Sequence, residues 1–274
     1  EPQSETVWRQ ANTYQVPRMC FINKMDRTGA NWQRCIDMIV ERLHGNPVPV
    51  QFPYGEGSDF KGIIDLIDMQ LYTYGNDLGT DIQTHPIPEA YRERAETLRA
   101  EMIEKVVEND DYLTEKYLMG EEINNDELLA ALRAATIASK VQPVVCGSAL
   151  KNKGVQLMLD KAVELLPSPL DIPPVTGHHP KTEEELIRHA DDSEPATALV
   201  FKILTDPYVG RLAFFRVYAG VVKAGSTLLN STKGDRERMG RIVRMFADSR
   251  EDIVEVRAGD IGAILALKGT FTGD

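Results

Sequence analysis

Short unbroken apolar runs alternate along this chain with longer stretches in which apolar residues recur every three or four positions. Val7, Trp8, Ala11 and Tyr14 recur at helical spacing and predict a helix over residues 2–14. Val16, Met19, Cys20, Phe21 and Ile22, around Pro17, predict a buried strand over 16–22. Trp32, Ile36, Ile39, Val40 and Leu43 form the stripe of a second helix over 30–44, stopped by Gly45 and Pro47. Four strands are then expected, at 48–52, 60–67, 70–74 and 82–87, separated by Gly, Asn and Asp turn residues. Three helices follow. Tyr91, Ala95, Leu98, Met102 and Val106 mark the first, behind Pro88, a favourable first-turn residue. Leu113, Tyr117 and Leu118 mark the second, ended at Gly120. Leu128, Leu129, Leu132 and Ile137 mark the third, capped from Asn124 or Asn125. A second buried strand at 142–146 leads into a helix carrying Val155, Met158, Leu159, Ala162, Val163 and Leu166.

Beyond that helix the pattern changes. The proline-rich stretch 167–174 reads as a stiff linker, and the polar residues 175–194 as a partly mobile one. From Thr197 onward, short strands are expected at 197–204, 212–222, 226–229, 238–246, 253–256 and 261–267. Strands this closely spaced, with Gly turns between them, predict a barrel.

Chemistry collects at the ends of the two buried strands. The first runs into Asn23-Lys24-Met25-Asp26, and the second into Gly147-Ser148-Ala149. The carboxyl ends of strands are where open α/β sheets bind ligands. Asn-Lys-x-Asp resembles the guanine-specificity motif of GTP-binding proteins, and the chemistry fits: an ionised Asp26 accepts two hydrogen bonds, which suits the adjacent N1–H and 2-amino donors of guanine. Asn23 can brace the loop and reach the base edge, while the Lys24 stem lies against the base plane. Asn, Asp and Gly also populate ordinary turns. Two strand-end motifs of the right types, in the right order, favour the base-reading interpretation.

The resemblance extends well past Asn-Lys-x-Asp. Residues 1–8, 23–29, 147–156 and 201–207 resemble bacterial elongation factor G, the ribosomal translocase. In that family the backbone N–H of the alanine in the serine–alanine turn meets guanine O6, which rejects adenine. The resemblance therefore implies a cofactor-binding set of Asn23, Lys24, Asp26, Ser148, Ala149 and Leu150. It implies an α/β plus β fold: residues 1–45 and 140–167 as the second half of a P-loop GTPase domain, 46–139 as an inserted α/β subdomain, 168–194 as a linker, and 195–274 as a truncated barrel domain. Asp26 and Ser148 stand about 120 residues apart, far beyond an ordinary connection, which independently calls for an inserted domain. By the resemblance the ligand is GTP or GDP, with Mg²⁺ in the parent protein. The insert faces the ribosomal stalk protein, the barrel contacts the small subunit, and the parent is a monomer. Paralogous ribosomal GTPases (a ribosome-protection protein, or the GTPase that recycles with release factors) share this scaffold. A non-hydrolysing interaction module is the rival from another class.

Charge and composition sharpen this picture. The net charge of −11 is uneven, because residues 46–139 hold 19 acidic against seven basic side chains. So acidic a stretch attracts a basic partner or simply solvates a helical surface, and it argues against bare nucleic-acid binding. No apolar run approaches the roughly 18 residues of a membrane helix. Three cysteines without metal spacing point to a reducing compartment, the cytoplasm. His178-His179 reads as solvated linker, and no catalytic histidine is expected. No G-x-x-x-x-G-K-[ST] phosphate loop occurs anywhere in the 274 residues. By the resemblance, that loop, the switch segments and the water-positioning histidine would precede Glu1. The chain is thus expected to be a fragment without hydrolytic activity, opening in the interior of a longer protein.

Overall fold

A computed structural model describes residues 2–179, 182–206, 210–247, 249–265, 267 and 269–274. Glu1, Pro207 and Ala266 lie outside these, as do positions 180 and 181 of the polar linker. The chain divides into two compact units, residues 1–167 and 168–274.

The first unit opens with α1 (Pro2–Thr13), followed by β1 (Cys20–Ile22) and α2 (Trp32–Leu43). β1 is shorter than the expected 16–22. Gln15 takes a left-handed φ of +51°, Pro17 has no N–H to give a ladder, and Val16 is half exposed. The apolar face of α1 is largely uncovered, with Val7 and Tyr14 exposed. Within α2, Trp32, Ile36 and Ile39 are buried, but Val40 faces outward.

The expected strand 48–52 proves to be two strands in two sheets. β2 (Pro47–Pro49) belongs to a parallel sheet and β3 (Gln51–Tyr54) to an antiparallel one. Val50 is the crossing point: its N–H donates to Val144 O at 3.0 Å, and its own carbonyl accepts from Leu66 N–H at 2.9 Å. β4 (Gly62–Asp65), β5 (Gln70–Tyr74) and β6 (Ile82–Pro86) complete the antiparallel sheet in the order β3-β4-β5-β6.

The helices then follow as α3 (Glu89–Val107), α4 (Asp111–Leu118) and α5 (Asn125–Ile137). Asn124 caps α5 in a reciprocal box with Glu127. Leu118 of α4 is exposed. β7 (Gln142–Cys146) and α6 (Val155–Leu165) end the unit. Leu165 is the fully buried residue of α6, whereas Leu159 and Val163 face solvent.

β7 is the middle strand of the parallel sheet β1-β7-β2 and is buried throughout, which is why it reads as an unbroken apolar run. A single hydrophobic core runs through the whole unit, joining Ile22, Met25 and Trp32 to Phe52, Met102, Leu132 and Val144. Aromatic rings bridge its parts: Trp32 lies 6.3 Å from Phe52, and Phe52 lies 6.4 Å from Tyr91.

The second unit is β-rich. The expected mobile linker contains a hairpin, β8 (Val175–His178) paired antiparallel with β9 (Glu185–Arg188). β10 (Thr197–Asp206), β11 (Gly210–Ala219), β12 (Val221–Lys223), β13 (Thr227–Asn230), β14 (Asp235–Arg238), β15 (Ile242–Phe246), β16 (Ser249–Ile253), β17 (Glu255–Arg257) and β18 (Ile261–Leu265) follow. Five of these form one sheet, β10-β11-β18-β15-β16, while β12–β17 and β13–β14 pair as ribbons. The expected strands 212–222, 238–246 and 253–256 are each broken in two. Phe215, Val217, Val222, Ile242, Val256 and Ile264 make the core. The tail returns to β10, with Gly273 N–H donating to Val200 O at 2.7 Å and Val200 N–H to Asp274 O at 2.8 Å.

Candidate functional site

β1 and β7 pair in parallel register, Cys20 with Val144 through Ile22 with Cys146, so the two strands release their chains at the same end of the sheet. The ladder continues past the strands. Gly147 N–H donates to Ile22 O at 3.0 Å, and Met25 N–H donates to Gly147 O at 3.1 Å. A side chain at 147 would not fit there. Its Cβ would stand 2.4 Å from Lys153 O and 3.0 Å from the Phe21 ring.

Asn23 ties the loops together. Its Oδ1 accepts from Lys24 N–H at 2.7 Å and from Ala149 N–H at 2.9 Å, across 126 residues of sequence. Lys24 holds a φ of +64°, a conformation costing a Cβ-bearing residue on the order of 1–3 kcal/mol. The short bond from its N–H to Asn23 helps to hold it there. Ser148 and Lys153 form an antiparallel bridge that closes the second loop at its base, with hydrogen bonds of 2.8 and 3.0 Å. Between them, Ala149–Lys151 make one turn of 3₁₀ helix.

Asp26 and Ser148 face each other beside these loops. The Asp26 side chain is only 8% exposed, with Lys151 Nζ 3.7 Å from its Oδ2. Its carboxyl is held below the ordinary carboxylate range, chiefly by the Ser148 hydroxyl that faces it. The Asp26 backbone N–H, Lys151 and Arg27 add to this against a partial desolvation. Ser148 is 1% exposed, with its hydroxyl turned to the Asp26 carboxylate. An ionised acceptor held in place by a buried hydroxyl suits a flat ligand that presents adjacent N–H donors. Asn23 and Lys24 are exposed, and Leu150 is 81% exposed. All six residues singled out in the sequence therefore come together at one end of the parallel sheet. Lys151, the counter-ion of Asp26, was not singled out, because nothing in its spacing marks it.

Residues 1–168 match the family model for the elongation factor Tu GTP binding domain, and residues 195–274 match that for elongation factor G domain 2. The chain belongs to the translational GTPase family. It is also similar to a protein of known crystal structure from Thermus thermophilus, at 28% identity and a TM-score of 0.80, over 98% of this chain. The chain spans 37% of the length of that protein. A GTPase domain followed by a β-rich domain is thus the architecture. The matching family is one of GTP-binding domains. No helix among the described residues is long and apolar enough to cross a membrane.

Proposed function

We propose that this chain carries the guanine-reading part of an elongation factor G-type GTPase, which drives movement of tRNA and mRNA through the ribosome in the cytoplasm. Asp26 accepts from N1–H and the 2-amino group, Asn23 braces the loop at the base edge, and the Lys24 stem lies along the base plane. Ser148 orients the Asp26 carboxylate, Ala149 N–H reads the 6-oxygen, and Leu150 lines the rim. The observation that carries this reading is the bond from Ala149 N–H to Asn23 Oδ1, which joins the two motif loops into one pocket. A 6-oxygen arriving there shares that N–H with Asn23 in a three-centre bond.

In the same reading, residues 46–139 are the inserted subdomain and residues 195–274 the barrel. Mg²⁺ and the phosphate contacts come from parts of the parent protein outside residues 1–274. The acidic face of the insert meets the ribosomal stalk protein, and the barrel meets the small subunit. The intact pairing of the two loops favours this over an interaction module with a vestigial pocket.

Titration of the chain with GDP and ADP, followed by the amide shifts of Met25 and Ala149, tests the site. Shifts that grow with millimolar GDP and are absent with ADP at the same concentrations are expected. Equal responses to the two nucleotides would refute the assignment.

A further inference from the structure

The segment between the two motif loops reaches back to both of them. Near the first loop, Gly57 N–H donates to Met25 O at 2.8 Å, and Glu56 Oε1 accepts the Trp32 N–H at 3.0 Å. Near the second, the grip comes from the tip of the β5–β6 hairpin. Leu78 O accepts from Asn152 Nδ2 at 3.0 Å, and Gly79 O accepts from Gln156 Nε2 at 3.2 Å. Gly79 is shaped for this approach. Its φ is +65°, and a Cβ there would lie 2.3 Å from Asn152 O.

Asn152 in turn ends the 3₁₀ turn of Ala149–Lys151. It holds a φ of +51°, and its N–H returns to Ala149 O at 3.1 Å. The Ser148–Lys153 bridge fixes only the base of this loop. Its outer part, which presents the Ala149 N–H, is held on one side by Asn23 and on the other by Asn152. The Asn152 side chain commits its donors to the hairpin tip, 74 residues away in sequence.

We propose that the hairpin tip at Leu78–Gly79 is a positioning element for the base edge that Ala149 reads, acting through Asn152 and Gln156. The inference rests on the guanine reading of the site. None of the four residues touches the base. They set where the Ala149 N–H points, and so act on the six-position of the purine and not on the N1 and 2-amino edge held by Asp26.

The test is Asn152→Gly in the whole chain. Glycine keeps the left-handed backbone but removes the side-chain bonds of Asn152 to Leu78 O and, at 3.5 Å, to Gly79 O. GDP, IDP (no 2-amino group), 2-aminopurine riboside diphosphate (no 6-oxygen and no N1–H, so held at Asp26 by its 2-amino group alone) and ADP are titrated by amide shifts against wild type and variant. The wild type should prefer GDP to ADP. In the variant, GDP and IDP should weaken about three- to tenfold, the worth of one misplaced hydrogen bond, while the 2-aminopurine nucleotide is unchanged. Equal weakening of all three analogues would mean general loosening and overturn the proposal. So would unchanged affinities with only a lowered melting temperature, since a purely structural tie predicts that. A wild type with no preference for GDP over ADP would instead overturn the guanine reading, and this proposal with it. If Asn152→Gly does not fold, Gln156→Ala makes the same comparison with one bond removed.

Discussion

Replacing Asp26 by Asn tests the proposed guanine reading at the group assigned to base choice. The side chain is 8% exposed and faces the buried Ser148 hydroxyl, which an amide oxygen can also accept from, so the exchange is isosteric and little else needs to move. The ion pair with Lys151 is lost, but at 3.7 Å and with Lys151 55% exposed it contributes little. The change lies in hydrogen bonding. A carboxylate only accepts, whereas an amide nitrogen only donates, and it now confronts the N1–H or 2-amino donor of guanine. Such a buried mismatch costs about 1–3 kcal/mol, or roughly ten- to a hundredfold in affinity. Xanthine carries a carbonyl where guanine has its 2-amino group, so it accepts what the new amide donates. Competition between GDP and XDP, read from the Met25 and Ala149 amide shifts, should therefore move towards XDP in the variant. An unchanged competition ratio would refute the role given to Asp26. The wild-type pH profile offers a second check. The Asp26 carboxyl lies below the ordinary carboxylate range, so GDP binding should persist as pH falls through that range and fail only beneath it, when the acceptor is protonated.

The chain should not hydrolyse GTP, and guanosine, GDP and GTP should bind about equally, with dissociation constants of about a millimolar or weaker. The base contacts alone must offset lost translational freedom, and no phosphate-loop motif occurs in residues 1–274; calorimetry showing micromolar GTP binding would contradict this. Substituting Gln for Glu101, Glu104 and Glu108 together should weaken binding of the ribosomal stalk protein and flatten its salt dependence, and unchanged affinity would return that face to a solvating role. Leu132→Ala, at a fully buried position of α5, should cost about 2–5 kcal/mol of stability by urea unfolding, and a loss below about 1 kcal/mol would show that α5 is not part of the common core. In the native protein Cys146 should resist thiol reagents at pH 8 because it is fully buried, and Cys20 should react slowly because desolvation lifts its thiol to about 11; rapid labelling of Cys146 would contradict the packing of β7.

Periodicity identifies an element wherever one face is buried against one partner. Ala95, Met102 and Val106 on α3, and Leu128 and Leu132 on α5, are core residues as their spacing indicates. It fails where a run serves two partners or none. The apolar stretch around Val50 looks like one strand because both sheets that it joins are buried, and alternation carries no information about sheet membership. The hairpin β8–β9 escapes notice for the opposite reason. All four residues of β8 are exposed, so no core face imposes a pattern. Val40, Leu159 and Val163 are apolar yet point outward, which composition alone cannot distinguish from burial. The site was legible in its residue types, because Asn, Lys, Asp and Ser-Ala at strand ends are few and chemically specific. The tie between Asn23 and Ala149 and the grip of Leu78 on Asn152 were not, because each joins residues 74 or more apart in sequence and depends on a tight turn.

The same separations bear on how the pocket stays formed. Bringing together loops 126 residues apart costs, by chain-closure entropy alone, about 4 kcal/mol plus a constant. The bonds between the loops, from Gly147 to Ile22, from Met25 to Gly147 and from Ala149 to Asn23, are each worth about 1 kcal/mol net and cannot carry that cost with a margin. The closure must rest on the burial of what lies between. The intervening residues are folded against the flanking helix and strands, with Trp32, Phe52 and Tyr91 in ring contact and Val50 hydrogen-bonded into β7. The geometry of the pocket is therefore a property of this shared core, and the hydrogen bonds at its surface select an orientation that the core has already brought within reach.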